Sequence, residues 1–167
     1  MDSALPRVVS LMRSDLSRFY EECAGDMIRL CAALVGPHLA EDIFAEAMLR
    51  VLQNTKWLAL PDDDRRAYLY RTMVNEAHRY TARRSKGEVL ESILSARRPV
   101  HGEDEYVEDL LPQLATLSVR QRAVVYLTYW EDLSAREVAN RLGISEGSVY
   151  QHVARARSRL RVEVMDG

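Results

Sequence analysis

Apolar side chains recur at intervals of three and four residues almost from one end of this sequence to the other, and no other feature restricts its fold so tightly. Leu16, Phe19, Tyr20, Cys23, Met27, Leu30, Cys31 and Leu34 fall at i, i+3, i+4, i+7 and onward, which draws one continuous stripe on a long helix. Gly36-Pro37 stops it. A second helix over about Leu39 to Gln53 aligns Ile43, Ala47 and Val51, with Phe44, Met48 and Leu52 beside them and Glu41, Asp42, Glu46 and Arg50 opposite. Beyond Pro61, the aspartates Asp62 to Asp64 can cap and complement the positive end of a third helix running to about Arg84.

The C-terminal part carries its own start and stop signals. Ser118-Val119-Arg120-Gln121 and Ser134-Ala135-Arg136-Glu137 both fit the capping box, in which a Ser hydroxyl and a Gln or Glu three residues on satisfy each other's free backbone donors. The helix from Ser134 to Leu142 ends at Gly143, suited to a left-handed exit, and Ser145 can cap the next helix two residues later. That last helix lines up Val149, Val153, Ala156, Leu160 and Val164. A short helix, a glycine-containing turn and a second amphipathic helix make a helix-turn-helix pattern. No alternation of strand length occurs and the seven glycines are isolated, so no phosphate-cradling loop is present. The expected fold is all-α: two small helical domains, residues 1–86 and 109–167, joined by a flexible linker at 87–108. Each half alone is near the lower limit for a self-supporting core.

That linker is read from composition. Between Glu88 and Asp109 seven acids face two bases, with Pro99 and Gly102 in the middle; one or two helical turns are expected at Val89 to Leu94. The whole chain, 47% apolar and 29% charged, is that of a globular protein. No stretch nears the roughly 18 apolar residues that span a bilayer, and Met1 to Ser14 has no apolar core ahead of a cleavage site, so an intracellular, cytoplasmic chain is expected. Cys23 and Cys31 sit too far apart on one helix to bridge and lack the spacing of a zinc site, and are read as core residues. No metal or cofactor is expected.

The net charge of −2 hides a strong segregation. From Arg65 to Lys86 there are seven bases and one acid, Glu76; from Gly147 to Val162 there are four arginines and no acid. Two basic helices on either side of an acidic tether fit two separate polyanion contacts. In the last helix Glu146, Ser148, Gln151 and Arg155 are the candidate base readers, since Gln can bridge adenine, Arg guanine and Glu the cytosine amine. Arg157, Arg159 and Arg161 lie too far along to face one groove, which leaves phosphate contact or solvation. The third helix mixes cations with aromatics, the pairing that suits unstacked single-stranded bases: Tyr68, Arg71, Asn75, His78, Arg79 and Arg83 are the exposed candidates, whereas Tyr70, Met73, Ala77 and Tyr80 fall on the apolar line. On the second helix Asp42, Glu46 and Leu49 form a ridge that a basic partner helix could grip.

These segments resemble the extracytoplasmic-function sigma factors, the smallest members of the bacterial sigma-70 family. The run from Ala40 to Leu52 is similar to the family's polymerase-clamp-binding segment. Arg66 to Arg71, Asn75 and Arg83-Arg84 resemble its minus-ten reading helix, and Leu111-Pro112 through Arg155-Ala156-Arg157 resemble its minus-thirty-five domain. The resemblance implies a sigma region 2 helical bundle and a sigma region 4 helix-turn-helix, with no catalytic residues of the chain's own. Its implied partners are core RNA polymerase, promoter DNA in duplex and single-stranded form, and an anti-sigma protein. The implied polymerase-binding residues are Asp42, Ile43, Glu46, Leu49 and Arg50. The minus-ten set is Tyr68, Arg71, Asn75, His78, Arg79 and Arg83, and the minus-thirty-five set is Ser145, Glu146, Ser148, Tyr150, Gln151 and Arg155. The chain departs from the family at Ala45, Val74 and Arg79, where Gln, Arg and Asp are common, and at Tyr150 and His152, where bases are common, so no promoter sequence carries over. A LuxR-type regulator, binding duplex DNA without polymerase, is the rival reading of Leu117 to Val153. Against it, Ala40 to Arg84 lacks the strands or pocket pattern of a receiver or ligand domain.

Overall fold

The computed structural model describes residues 4–84, 88 and 114–166, and every element among them is helical. The acidic segment, with the turns expected at Val89 to Leu94, lies outside the described residues apart from Glu88. Helix α1 (Ala4–Val35) ends at Gly36, whose φ of 91° no branched residue would adopt cheaply, and α2 (Pro37–Leu52) begins with proline at its first position. A one-turn helix not anticipated from periodicity, α3 (Thr55–Leu58), follows; the Asn54 side chain caps it by accepting from Lys56 N at 3.1 Å. It exists to deliver Trp57. That side chain is fully buried, meets Phe19 edge-on at 5.6 Å and donates through Nε1 to Arg65 O at 3.0 Å.

Helix α4 (Asp62–Ala82) starts after Pro61 with no side-chain cap. The three aspartates occupy its first turn instead, where they complement the dipole, and Asp62 pairs with Arg18 at 3.3 Å and Arg65 at 3.4 Å. In the C-terminal half both capping boxes form as expected. Ser118 and Gln121 open α5 (Val119–Tyr129), and Ser134 and Glu137 open α6 (Ala135–Leu142). Gly143 adopts the left-handed exit at φ 65°, ψ 39°, and Ser145 Oγ accepts from Ser148 N at 3.1 Å at the head of α7 (Glu146–Asp166).

The two halves do not stand apart. A single apolar cluster joins Phe19, Met27, Leu34, Trp57, Leu69 and Met73 to Val119, Val124, Leu127, Val138 and Val149, so α1 and α4 pack against α5, and α4 against α6. Among the described residues, Leu114, Leu117 and Ala156 form a separate small core beneath α7. The physical reason is the size limit that makes each half marginal alone: merging two faces removes more apolar surface from water than either half can hide by itself. Cys23 and Cys31 are core residues, and Cys31 Sγ lies 3.6 Å from Met73 Sδ.

Candidate nucleic-acid interface

Two faces present the basic and aromatic residues singled out from the sequence. On α7, Val149 and Ala156 point inward, each 1% exposed, which turns Glu146, Tyr150, Gln151 and Arg155 outward. Ser148 is half-buried, with its hydroxyl 2.9 Å from that of Ser145. Ser145 therefore works as a cap, and the first two turns beyond it form the free surface. Farther along, Arg157 and Arg159 have protein partners: Arg157 reaches the Tyr129 hydroxyl, with Nε at 3.1 Å, and Arg159 donates to Thr116 O at 3.0 Å. They brace the helix, a role that spacing alone did not reveal. His152 is half-buried behind this face, and burial, with Arg155 and Arg120 nearby, favours its neutral form.

On α4 the residues Tyr68, Arg71, Asn75, His78, Arg79 and Arg83 all lie on the exposed side. Tyr68 Oη accepts from Asn54 Nδ2 at 3.3 Å. Arg79 is tied at 2.8 Å to Glu76, a nearly buried carboxylate that also pairs with Arg50 of α2 at 2.5 Å. Tyr70, Met73 and Ala77 are core, as their register indicates, and Tyr80 packs against that core beneath the Arg84 guanidinium, 4.8 Å away. Of the basic residues on this helix, Arg65 and Arg79 are held by carboxylates; Arg65 bonds Asp15 at 2.7 Å and holds that carboxyl below its usual range.

The α2 ridge is divided. Asp42, Glu46 and Leu49 are exposed, Leu49 at 57%, and Arg50 is exposed while paired with Glu76. Ile43 is not on that surface: at 5% exposure it belongs to the core with Ala47 and Val51.

Sequence reasoning missed the residues where the halves meet. Arg122, 4% exposed, donates through Nη1 to Leu34 O at the end of α1, and burial lowers its pKa to about 10. Its neighbours Val119 and Tyr126, three and four residues away on one helical face, were the available signal that it points inward. The Arg141 guanidinium lies 5.0 Å from the ring of buried Tyr70, whose phenol is pushed up by burial. A Cβ on Gly143 would sit 2.9 Å from Arg71 Cδ. Among the described residues no helix is long and apolar enough to cross a membrane.

Comparison with known proteins matches both halves. Residues 19–87 fit the family model described as Sigma-70 region 2, and residues 108–160 fit Sigma-70, region 4. The chain is 32% identical to the RNA polymerase sigma-E factor of Streptomyces antibioticus, over 75% of this chain and 70% of that one. The protein of the same name from Streptomyces coelicolor is also 32% identical, over 75% and 72% of the two chains. The ECF RNA polymerase sigma factor SigL of Mycobacterium tuberculosis is 28% identical over 94% of this chain and 90% of its own.

Proposed function

The chain belongs to the sigma-70 family as an RNA polymerase sigma factor of the extracytoplasmic-function type, and from that premise we propose that it directs core polymerase to promoters by reading two separate elements. In this reading residues 1–86 bind polymerase and the minus-ten element, residues 109–167 bind the minus-thirty-five element, and residues 87–108 tether them in the cytoplasm. Asp42, Glu46 and Leu49 offer polymerase an acidic and apolar ridge, while Ile43 supports the ridge from beneath. On α4, Tyr68 supplies a ring for an unstacked base while Arg71 and Arg83 hold phosphates of the opened strand, with Asn75 and His78 as hydrogen-bonding groups between them. The first turns of α7 enter the major groove, where Gln151 and Arg155 have the donor geometry for adenine and guanine. An anti-sigma protein is the partner that would hold the chain inactive.

One observation carries this reading: the residues opposite the buried Val149–Ala156 line of a capped helix-turn-helix are the free Glu146, Gln151 and Arg155, and not an apolar face seeking a partner. The fit of residues 19–87 to region 2 favours it over a LuxR-type regulator. The test is transcription from a promoter library by purified core polymerase with and without the chain. Enrichment of templates sharing two spaced elements is expected; an unchanged transcript pool overturns the proposal.

A further inference from the structure

Asn54 has one side-chain amide and two hydrogen-bonding tasks. Its Oδ1 accepts from Lys56 N at 3.1 Å, which caps α3, and its Nδ2 donates to the phenol oxygen of Tyr68 on α4 at 3.3 Å. The cap fixes which way the amide faces, because its oxygen alone can accept from a backbone N–H; the donor end is therefore turned toward Tyr68. A phenol oxygen that accepts from the amide keeps its own proton for an acceptor elsewhere, and the Tyr68 side chain is 38% exposed, with solvent on its open side. We propose that Asn54 is a positioning residue for strand capture: it holds the Tyr68 ring in the pose on which an unpaired base stacks and turns the phenol proton outward, toward an oxygen of that base or of its phosphate. The inference rests on the reading of Tyr68 as the stacking ring of α4.

The backbone is fixed at both ends of this bond. On the Asn54 side, Trp57 is fully buried against Phe19 and donates through Nε1 to Arg65 O, one turn ahead of Tyr68 on α4. On the other side, the carbonyl of Tyr68 accepts from the Thr72 hydroxyl at 2.9 Å. What the Asn54 amide adds is the orientation of one ring. A surface hydrogen bond at 3.3 Å exchanges readily with water and contributes little to folding. Ordering an aromatic side chain before its ligand arrives is a separate gain, because rotamer freedom given up in advance is not given up on binding. The bond therefore serves capture more than stability, and its loss is worth about three- to tenfold in affinity for an unpaired strand.

The test uses the full chain assembled with purified core polymerase, and reads anisotropy of a fluorescein-labelled single-stranded 16-mer of random sequence, with core polymerase alone as background. Asn54→Ser keeps a good cap for α3 but is too short to reach the phenol, and Tyr68→Phe keeps the ring but removes the acceptor. Each should weaken binding by about three- to tenfold, and the double variant should be no weaker than either single one, because both remove the same bond. Melting temperatures of the free variants should match wild type. The salt dependence of binding should also be unchanged, since no cation is lost. Tyr68→Ala, which removes the ring as well, should bind more weakly than any of them. If Asn54→Ser binds as wild type while Tyr68→Ala is impaired, the positioning role is overturned and the stacking role of Tyr68 stands. Losses that add in the double variant, or a shallower salt slope, place the effect of Asn54 outside the phenol and overturn the proposal too. Unimpaired Tyr68→Ala overturns the reading of Tyr68 itself, and the positioning role with it.

Discussion

At the scale of single residues, the two thiols set an alkaline limit on the fold. Cys23 and Cys31 are fully buried, and desolvation raises their pKa to about 11 and about 12. The unfolded chain loses these protons near pH 9 while the folded chain keeps them. Their contribution is therefore complete below about pH 9 and drains away as pH rises through the folded values, at up to about 1.4 kcal/mol per pH unit for each thiol. Cys31→Ala should lower the starting stability yet flatten that decline, which urea midpoints at about pH 8 and about pH 10 will show. The same scale decides what Arg155 does. Arg155→Ala should cost holoenzyme about 1 to 3 kcal/mol on its best promoter and relax preference at one base position; equal losses on every template would make it a phosphate contact instead. The exposure of Glu146, Gln151 and Arg155 was legible in the sequence because the apolar line of α7 leaves them no inward direction. Ile43, which the resemblance groups with the ridge, is buried, because the segment's own stripe decides which of its side chains reach the surface.

At the scale of elements, the punctuation carried most of the information. Gly36-Pro37, the two capping boxes and Gly143 are where the chain breaks, since each satisfies or releases backbone groups that no other local choice could. Helix α3 escaped because four residues are too few for periodicity to register, and only the Asn54 cap announces it. Removing a cap has a known scale: Ser134→Ala should cost about 1 kcal/mol in urea unfolding, and Gly143→Ala about 1 to 3 kcal/mol, because alanine must take the left-handed conformation with its Cβ against Arg71. On α2 the surface and the core can be told apart experimentally. Asp42→Lys with Glu46→Lys should abolish co-purification with core polymerase at unchanged melting temperature. Ile43→Ala, by contrast, should cost about 2 to 5 kcal/mol of stability. Retained co-purification of the double lysine variant would remove the ridge from the polymerase contact.

At the scale of the whole molecule, the joined core was the part that no stripe could reveal: periodicity says that a face is hidden, never against what. Two separately marginal halves and a long acidic tether argue as well for parting as for meeting, and the decision lies in surface area summed over α1, α4, α5 and α6. One tryptophan in each half makes the outcome measurable. Variants retaining only Trp57 or only Trp130 should report coincident denaturation curves by fluorescence, matching circular dichroism; curves separated along the denaturant axis would mean independently melting halves. Glu76 carries this interdependence down to a single carboxylate. It pairs with Arg79 on its own helix and reaches Arg50 across on α2, so it ties α4 to α2. A chimera that borrows α4 alone from a relative without a carboxylate at this position would leave Arg50 without its partner, whereas one that borrows α2 alone keeps Glu76 paired with Arg79.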